Sequence, residues 1–246
     1  PHRSLAEALE LGEHRGRTRK AVGRGEVRLH RRRGLPRSER SIPAGLAQLT
    51  AALVSGEDPR RSRENDVAGS PGVGYGLAAN YLMSSLLQNP TYQAAAMPCR
   101  VATPYYARYT AGMRYGDHVD DPVMGPPGGQ YRSDVSTTVF LNQPDQYQGG
   151  ELVIRTSFGE QSLKLAAGDA VAYPSSSLHH INEVTSGERL VAVTWAQSML
   201  RDPQQRELLF QLYQARENLR QSQPDAAETT TIDHVYVNLT RMWAEI

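Results

Sequence analysis

The sequence predicts a mainly β-sheet protein, a sandwich or jelly-roll barrel with flanking helices. Three observations point there. From residue 101 to residue 197 apolar side chains recur with period two, the spacing that puts them on one face of a strand. Gly128-Gly129, Gly149-Gly150, Gly168-Asp169 and Ser186-Gly187 cut that region into short pieces, which leaves room for roughly eight strands. Helix-like periodicity is confined to the two flanks, so strands and helices do not alternate as they would in a βα fold.

The elements follow in order. Residues 1–40 hold 12 of the 27 Lys+Arg and 5 of the 26 Asp+Glu, a net of +7, so residues 41–246 carry −6 and the whole chain +1. No aromatic residue precedes Tyr75. A basic arm without aromatics reads as solvated and disordered over residues 1–43, and an arm of this charge could contact nucleic acid or an anionic surface. Residues 44–54, AGLAQLTAALV, read as a short apolar helix, and residues 55–76, rich in Gly, Pro, Ser and charge, as a loop. Residues 77–89 read as a helix with Leu82, Leu86 and Leu87 on one face, stopped by Pro90. Together residues 44–100 form a helical and loop support.

Within the β region, residues 101–199, one face of a strand holds Val135, Thr137, Val139 and Leu141. A second holds Leu163 and Leu165, and a third Val191, Val193 and Trp195. Residues 179–184 and 188–195 read as the two arms of a hairpin. The Gly-Pro-rich stretch 124–131 reads as a surface loop or a mobile lid. Helix returns over residues 200–246. Asp202 is a good N-cap, Pro203 suits the first helical position and Gln205 completes a capping-box-like pattern. Leu208, Leu212, Ala215 and Leu219 make an apolar stripe. After a linker at 221–228, a last helix near 232–244 is expected to turn Val235, Leu239 and Met242 inward.

Composition excludes several classes. One cysteine, Cys99, permits no intrachain disulfide, and a reducing cytoplasm is the expected compartment. No apolar run approaches a membrane span, and residues 1–20 lack the apolar centre of a secretory signal.

The chemistry concentrates in RYTAGMRYGDHVDDP, residues 108–122, where one histidine sits among three aspartates. On a strand, His118 and Asp120 share a face, while Asp117, Val119 and Asp121 point the other way. An imidazole plus a carboxylate is two-thirds of the facial triad that leaves positions open on a non-haem Fe(II). With 7 histidines and the aspartates at their present frequency, a His-x-Asp arises by chance about one time in three, so a third ligand is needed. Beyond the basic arm the other histidines are His179, His180 and His234. His234 falls in the last predicted helix. His179 and His180 are adjacent, face opposite sides, and supply one ligand at most. Arg189, ten residues after His179, brings a guanidinium that can grip a carboxylate with two parallel hydrogen bonds, though an arginine there could equally pair with Glu188 at a turn.

His118-x-Asp120, then His179, then Arg189 resembles the Fe(II)- and 2-oxoglutarate-dependent dioxygenases. The stretch from Arg108 to Asp120, with Tyr109, Gly112 and Tyr115 at their present spacing, is similar to the prolyl 4-hydroxylase type. SDVS at 133–136, GGEL at 149–152, YPSSSLH at 173–179, GER at 187–189, RDP at 201–203 and NLTRMW at 238–243 look like the bacterial PKHD-type hydroxylases, the group that includes an iron-uptake-associated hydroxylase. The likeness covers about residues 97–246.

The resemblance implies a double-stranded β-helix (jelly roll) with C-terminal helices. It implies His118, Asp120 and His179 as iron ligands, and Arg189 and Tyr109 as the residues that hold the far carboxylate of 2-oxoglutarate. The implied reaction hydroxylates a peptidyl or amino-acid-like substrate, releases succinate and CO2, and is supported by L-ascorbate. Three other readings stay open: a dioxygenase of the same fold acting on nucleic acid through the basic arm, a cupin-like protein that binds iron to sense it, and an inactive scaffold with an altered N-terminal segment. The second would not need Arg189. Expected partners are the small cosubstrates and a hydroxylation substrate. Homo-oligomers are open; membrane and nucleic-acid partners are not expected.

Overall fold

The computed structural model describes residues 27–29, 66–67 and 73–246. The predicted helix at 44–54 and most of the basic arm lie outside the described residues. Three residues of that arm form β1 (Val27–Leu29), whose backbone pairs with the outer edge of the core sheet rather than standing free in solvent. An open sheet edge is a row of unpaired donors and acceptors, and pairing satisfies them. Likewise β2 (Asp66–Val67) falls within the stretch expected to be loop.

Helix α1 (Val73–Leu87) begins earlier than predicted, and its Leu82 and Leu86 are buried while Leu87 is exposed. Pro90 acts twice: it ends the first helix and opens α2 (Pro90–Ala96), capped by Asn89, whose side chain accepts from the Tyr92 N–H at 3.0 Å.

Strands follow: β3 (Pro98–Val101), β4 (Tyr105–Thr110), β5 (Tyr115–His118), β6 (Val123–Met124), β7 (Tyr131–Arg132), β8 (Val135–Phe140), β9 (Tyr147–Gly149), β10 (Leu152–Thr156), β11 (Gly159–Leu163), β12 (Ala170–Pro174), β13 (His179–Ile181) and β14 (Val184–Ser198). The larger sheet runs β1-β12-β8-β14-β4-β2, with β3 and β9 also on β14; the smaller runs β11-β10-β13-β5. Every pairing is antiparallel. This is the jelly roll.

Period two explains the packing. On β8 all six residues are buried, because both of its faces are covered. Val135 and Val139 meet α1 and α2 on the outside, against Leu82, Tyr92 and Ala96. Phe140 faces the opposite way, into the space between the sheets, with Val171, Val191, Leu152, Leu163 and Ile181. The site opens from that inter-sheet space.

Three expectations are corrected. Residues 179–184 and 188–195 are not a hairpin: β13 pairs with β10 and β5 in the smaller sheet, whereas β14 belongs to the larger one, so the chain crosses between sheets at 182–183. The stretch 124–131 is the surface loop of one reading rather than a strand-free lid: β6 pairs with β7 at its base, and Arg100 donates to the Gly129 and Gln130 carbonyls at 2.6 and 3.0 Å.

The third correction concerns α3 (Pro203–Ser222) and α4 (Ala227–Trp243), which are rotated relative to the predicted stripes. Leu212 of the predicted α3 stripe does pack inward, but Leu209 is fully buried while Leu208 is 57 % exposed. Inward-facing residues of α4 are Tyr236, Leu239 and Trp243, whereas Val235 and Met242 face solvent. Apolar residues at 208, 209, 210, 212 and 213 spread over roughly half the circumference of α3, wider than one stripe, so pattern alone did not choose the stripe. Asp202 does cap α3, accepting from the Gln204 N–H at 2.7 Å. Among the described residues no helix is long and apolar enough to cross a membrane.

Candidate active site

β5 and β13 lie side by side, and their register sets His118 directly opposite His179, with ring centroids 4.1 Å apart. Each ring is fixed through Nδ1. His118 lies 2.8 Å from the Gly116 carbonyl and His179 lies 2.9 Å from the Ser177 carbonyl. A carbonyl only accepts, so Nδ1 carries the proton in each neutral ring and Nε2 keeps its lone pair. Burial is the main cause that pushes His179 below the usual imidazole range, outweighing the Ser177 carbonyl and the Asp120 carboxylate, which act upward. A neutral imidazole is the form that binds metal.

Asp120 joins them by a route that strand parity did not foresee. β5 ends at His118, so Asp120 stands beyond the strand. Its N–H donates to the Ser175 carbonyl at 3.3 Å, and its Oδ2 accepts from the Ser136 hydroxyl. Oδ1 then lies 3.8 Å from His118 Nε2 and 3.9 Å from His179 Nε2. One atom from each of the three residues lies within 4.8 Å of the others, a set able to hold one divalent metal on one side. His180 and Asp117 point away: His180 Nδ1 is 2.9 Å from Asp117 Oδ1 on the outer face of the smaller sheet.

The same cavity, ≈ 410 Å³, extends past Thr138, Tyr173 and Tyr109 to Arg189. Arg189 is 1 % exposed, and among the described residues none of its three guanidinium nitrogens has a hydrogen-bond partner. Its neighbours are rings: its guanidinium lies 5.0 Å from the Tyr109 centroid and 5.8 Å from Phe140. The register of β14 on β4 places Arg189 opposite Tyr109. The Tyr147 phenol is near enough for cation and phenol to influence each other, without hydrogen-bond geometry; burial pushes that phenol upward more than the cation draws it down. Desolvation lowers the Arg189 pKa, but a guanidinium remains charged. Gly150 leaves the room: a Cβ there would sit 3.0 Å from Arg189 Cδ and 2.8 Å from Val184 Cγ2.

A buried ion without a partner carries a penalty of several kcal/mol, so the site fits an anionic ligand that pairs with Arg189. With a metal-ready triad at one end and an unpaired guanidinium at the other, the cavity suits a ligand that chelates through one end and presents a carboxylate at the other.

The family model of the 2OG-Fe(II) oxygenase superfamily matches residues 104–197, and that of the PKHD-type hydroxylase C-terminal domain matches residues 203–245. A PKHD-type hydroxylase of Thioalkalivibrio sulfidiphilus is 52 % identical over 192 residues, 78 % of this chain and 86 % of the relative. The chain belongs to the PKHD-type hydroxylase family. A second member, from Shewanella baltica, is 46 % identical over 67 % of this chain and 74 % of its own length. Among solved structures, a non-haem alpha-ketoglutarate-dependent carbocyclase from nogalamycin biosynthesis matches with a TM-score of 0.50 at 12 % identity, covering 72 % of this chain and 80 % of that one, a likeness of fold. This hydroxylase is therefore an enzyme of the 2OG-Fe(II) oxygenase superfamily, and membership implies Fe(II) and 2-oxoglutarate as its cofactors.

Sequence reasoning on this hydroxylase missed Ser136, Ser175, Tyr147 and Tyr173. The two serines lay inside SDVS and YPSSSLH without a role. The available signal was a run of hydroxyls, Ser136 to Thr138, within the apolar ends of one predicted strand, and hydroxyls that are buried there must find partners.

Proposed function

We propose that this hydroxylase holds Fe(II) on His118, Asp120 and His179 and holds 2-oxoglutarate by its far carboxylate on Arg189, with Tyr109 beside it, to hydroxylate an uncharged side chain of a peptide. The observation that carries this reading is the fully buried Arg189 guanidinium, without a hydrogen-bond partner among the described residues, in the same cavity as the triad. A metal sensor has no use for that cation, and a fork of donors suits a carboxylate.

The residues divide the work. His118 and His179 present Nε2 lone pairs while backbone carbonyls hold their Nδ1 protons. Asp120 contributes negative charge. Arg189 orients the cosubstrate, and Ala107, Leu152, Ile181 and Val193 line the walls with apolar surface that excludes water. Bound together, Fe(II) and 2-oxoglutarate supply the oxidising chemistry, in which one oxygen of O2 goes to the substrate and the other to succinate as CO2 leaves.

The mouth supports the substrate class. Tyr105 and Trp195 meet edge to face at 5.7 Å, and Val119 and Met124 complete an apolar rim. Asp121, expected from strand parity to point the other way, lines the cavity because the strand has ended before it, whereas among the described residues Arg189 is the only Lys or Arg side chain that lines it, 1 % exposed; this favours an uncharged side chain over a phosphate backbone. The likeness of RYTAGMRYGDHVD to the prolyl 4-hydroxylase type supports a peptide. L-Ascorbate as a supporting reductant, a role in iron homeostasis, and a cytoplasmic location with its one free cysteine reduced belong to the same proposal.

Anaerobic addition of Fe(II) and then 2-oxoglutarate tests it. A visible metal-to-ligand charge-transfer absorption that requires both is the expected result. Fe(II) binding with no response to 2-oxoglutarate would support a sensor instead.

A further inference from the structure

We propose that Ser136 is a positioning residue for Asp120. Its hydroxyl, anchored by Ser175, ties up Oδ2 so that Oδ1 alone faces the two imidazoles. This rests on the metal reading above and extends it to a residue with no assigned role.

The direction of the hydrogen bonds follows from chemistry. Ser136 is fully buried on β8, and its Oγ touches both Asp120 Oδ2 and, at 2.7 Å, the Oγ of Ser175, itself 2 % exposed. A hydroxyl has one proton, and an ionised carboxylate only accepts. Ser136 must therefore donate to Asp120, and Ser175 must donate to Ser136. The same Ser175 accepts the Asp120 N–H through its carbonyl. Because β5 ends at His118, no strand ladder holds Asp120. Its backbone is held by Ser175 and one of its oxygens by Ser136.

Coordination arithmetic gives the consequence. On an octahedral ion, two imidazoles and a one-toothed carboxylate leave three positions open, enough for a chelating cosubstrate and O2. A two-toothed carboxylate leaves two. Oδ1 is 3.8 and 3.9 Å from the two Nε2 atoms, while Oδ2 is occupied by a buried donor. The serine pair thus selects the one-toothed mode before metal arrives.

The test uses Co(II) alone as probe, added to the purified full chain, and reads visible absorption for affinity and coordination number. Ser136→Ala should weaken Co(II) binding about tenfold and change the band intensity of the saturated site. Ser175→Ala should shift both in the same direction by a smaller factor, about threefold. Ser136→Thr, which keeps the hydroxyl, should return both toward wild type. With Fe(II) saturating, Ser136→Ala should also give a weaker 2-oxoglutarate charge-transfer absorption.

Wild-type Co(II) affinity and spectrum in Ser136→Ala would overturn the proposal while leaving the metal reading intact. Failure of wild type itself to bind Co(II) would instead remove the metal reading. Should Ser136→Ala not fold, Ser175→Ala decides, since it leaves β8 untouched: unchanged Co(II) binding there overturns the proposal.

Discussion

On one face of the smaller sheet stand His118 and His179; on the other, one residue away along each strand, stand Asp117 and His180. The inner pair is directed at a carboxylate that is 8 % exposed, and His179 itself is 5 % exposed. The outer pair belongs to a surface chain. Arg155 reaches Asp117 and Glu160, both at 2.7 Å, His180 lies 3.1 Å from Asn182, and Asn182 donates to Glu151 at 3.1 Å. The outer polar groups lie within ion-pair reach of one another, although His180 Nδ1 makes no well-aligned hydrogen bond, and Asp117 and Arg155 are each at least 40 % exposed. Inside, the cavity holds groups that lack protein partners, Arg189 above all. Identical residue types thus have different chemistry according to which side of the pleat they take.

The largest expected effect separates the two faces directly. His179→Ala should lower Fe(II)-dependent succinate formation from 2-oxoglutarate by more than about 100-fold, because a ligand is lost rather than its support. His180→Ala should stay within about threefold of wild type. Equal losses in a succinate assay would mean that the outer face is part of the site.

Next comes the far end of the cavity. Arg189→Lys keeps the charge but replaces the planar fork by a single ammonium, and should raise the 2-oxoglutarate concentration at half-maximal turnover roughly tenfold or more. An unchanged requirement, measured by titrating 2-oxoglutarate at fixed Fe(II), would take Arg189 out of the site.

Much of this was legible in the chain. Spacing and chemistry marked His118 and Asp120, the resemblance singled out His179 over His180 and gave Arg189 its role, and the structure brings all four to one cavity. The β region and the Asp202 cap were legible too, because both are local signals. What was not legible depended on partners distant in sequence. Period two tells which residues share a face but not which strand lies alongside, so β13 and β14 looked like a hairpin although they belong to different sheets. Asp120 was selected by strand parity, yet the strand has ended there, and serines 16 and 55 residues downstream hold it. Leu208 and Leu209 were equally good candidates for the α3 stripe until Met97 and Leu200 were known to pack against Leu209.

A smaller effect follows from the His179 environment. Burial lowers its pKa in the folded apoprotein, while the unfolded imidazole protonates near its ordinary value of about 6.5. Between those two values the unfolded chain binds more protons than the folded one, so stability falls as pH drops below about 6.5 and the loss levels off below the folded pKa. Urea unfolding of metal-free protein across that range should show this slope, and His179→Gln should flatten it. A slope that is the same in both proteins would mean that burial does not hold His179 neutral.

The smallest effect is expected at Asp117, which is set against Asp120 three residues away. Asp120→Asn removes an inward-facing charge from the triad and should eliminate most turnover. Asp117→Asn removes a charge 44 % exposed, shared between His180 and Arg155, and Arg155 keeps Glu160 as a partner. Solvent and salt already screen that pair, so turnover should stay within about twofold of wild type. The opposite result would be informative. A loss in Asp117→Asn that approaches that of Asp120→Asn, with Fe(II) affinity reduced in parallel, would show that the surface chain holds β5 in register against β13. The inner histidines would then depend on the outer face for their alignment, and the two sides of the sheet would form a single unit.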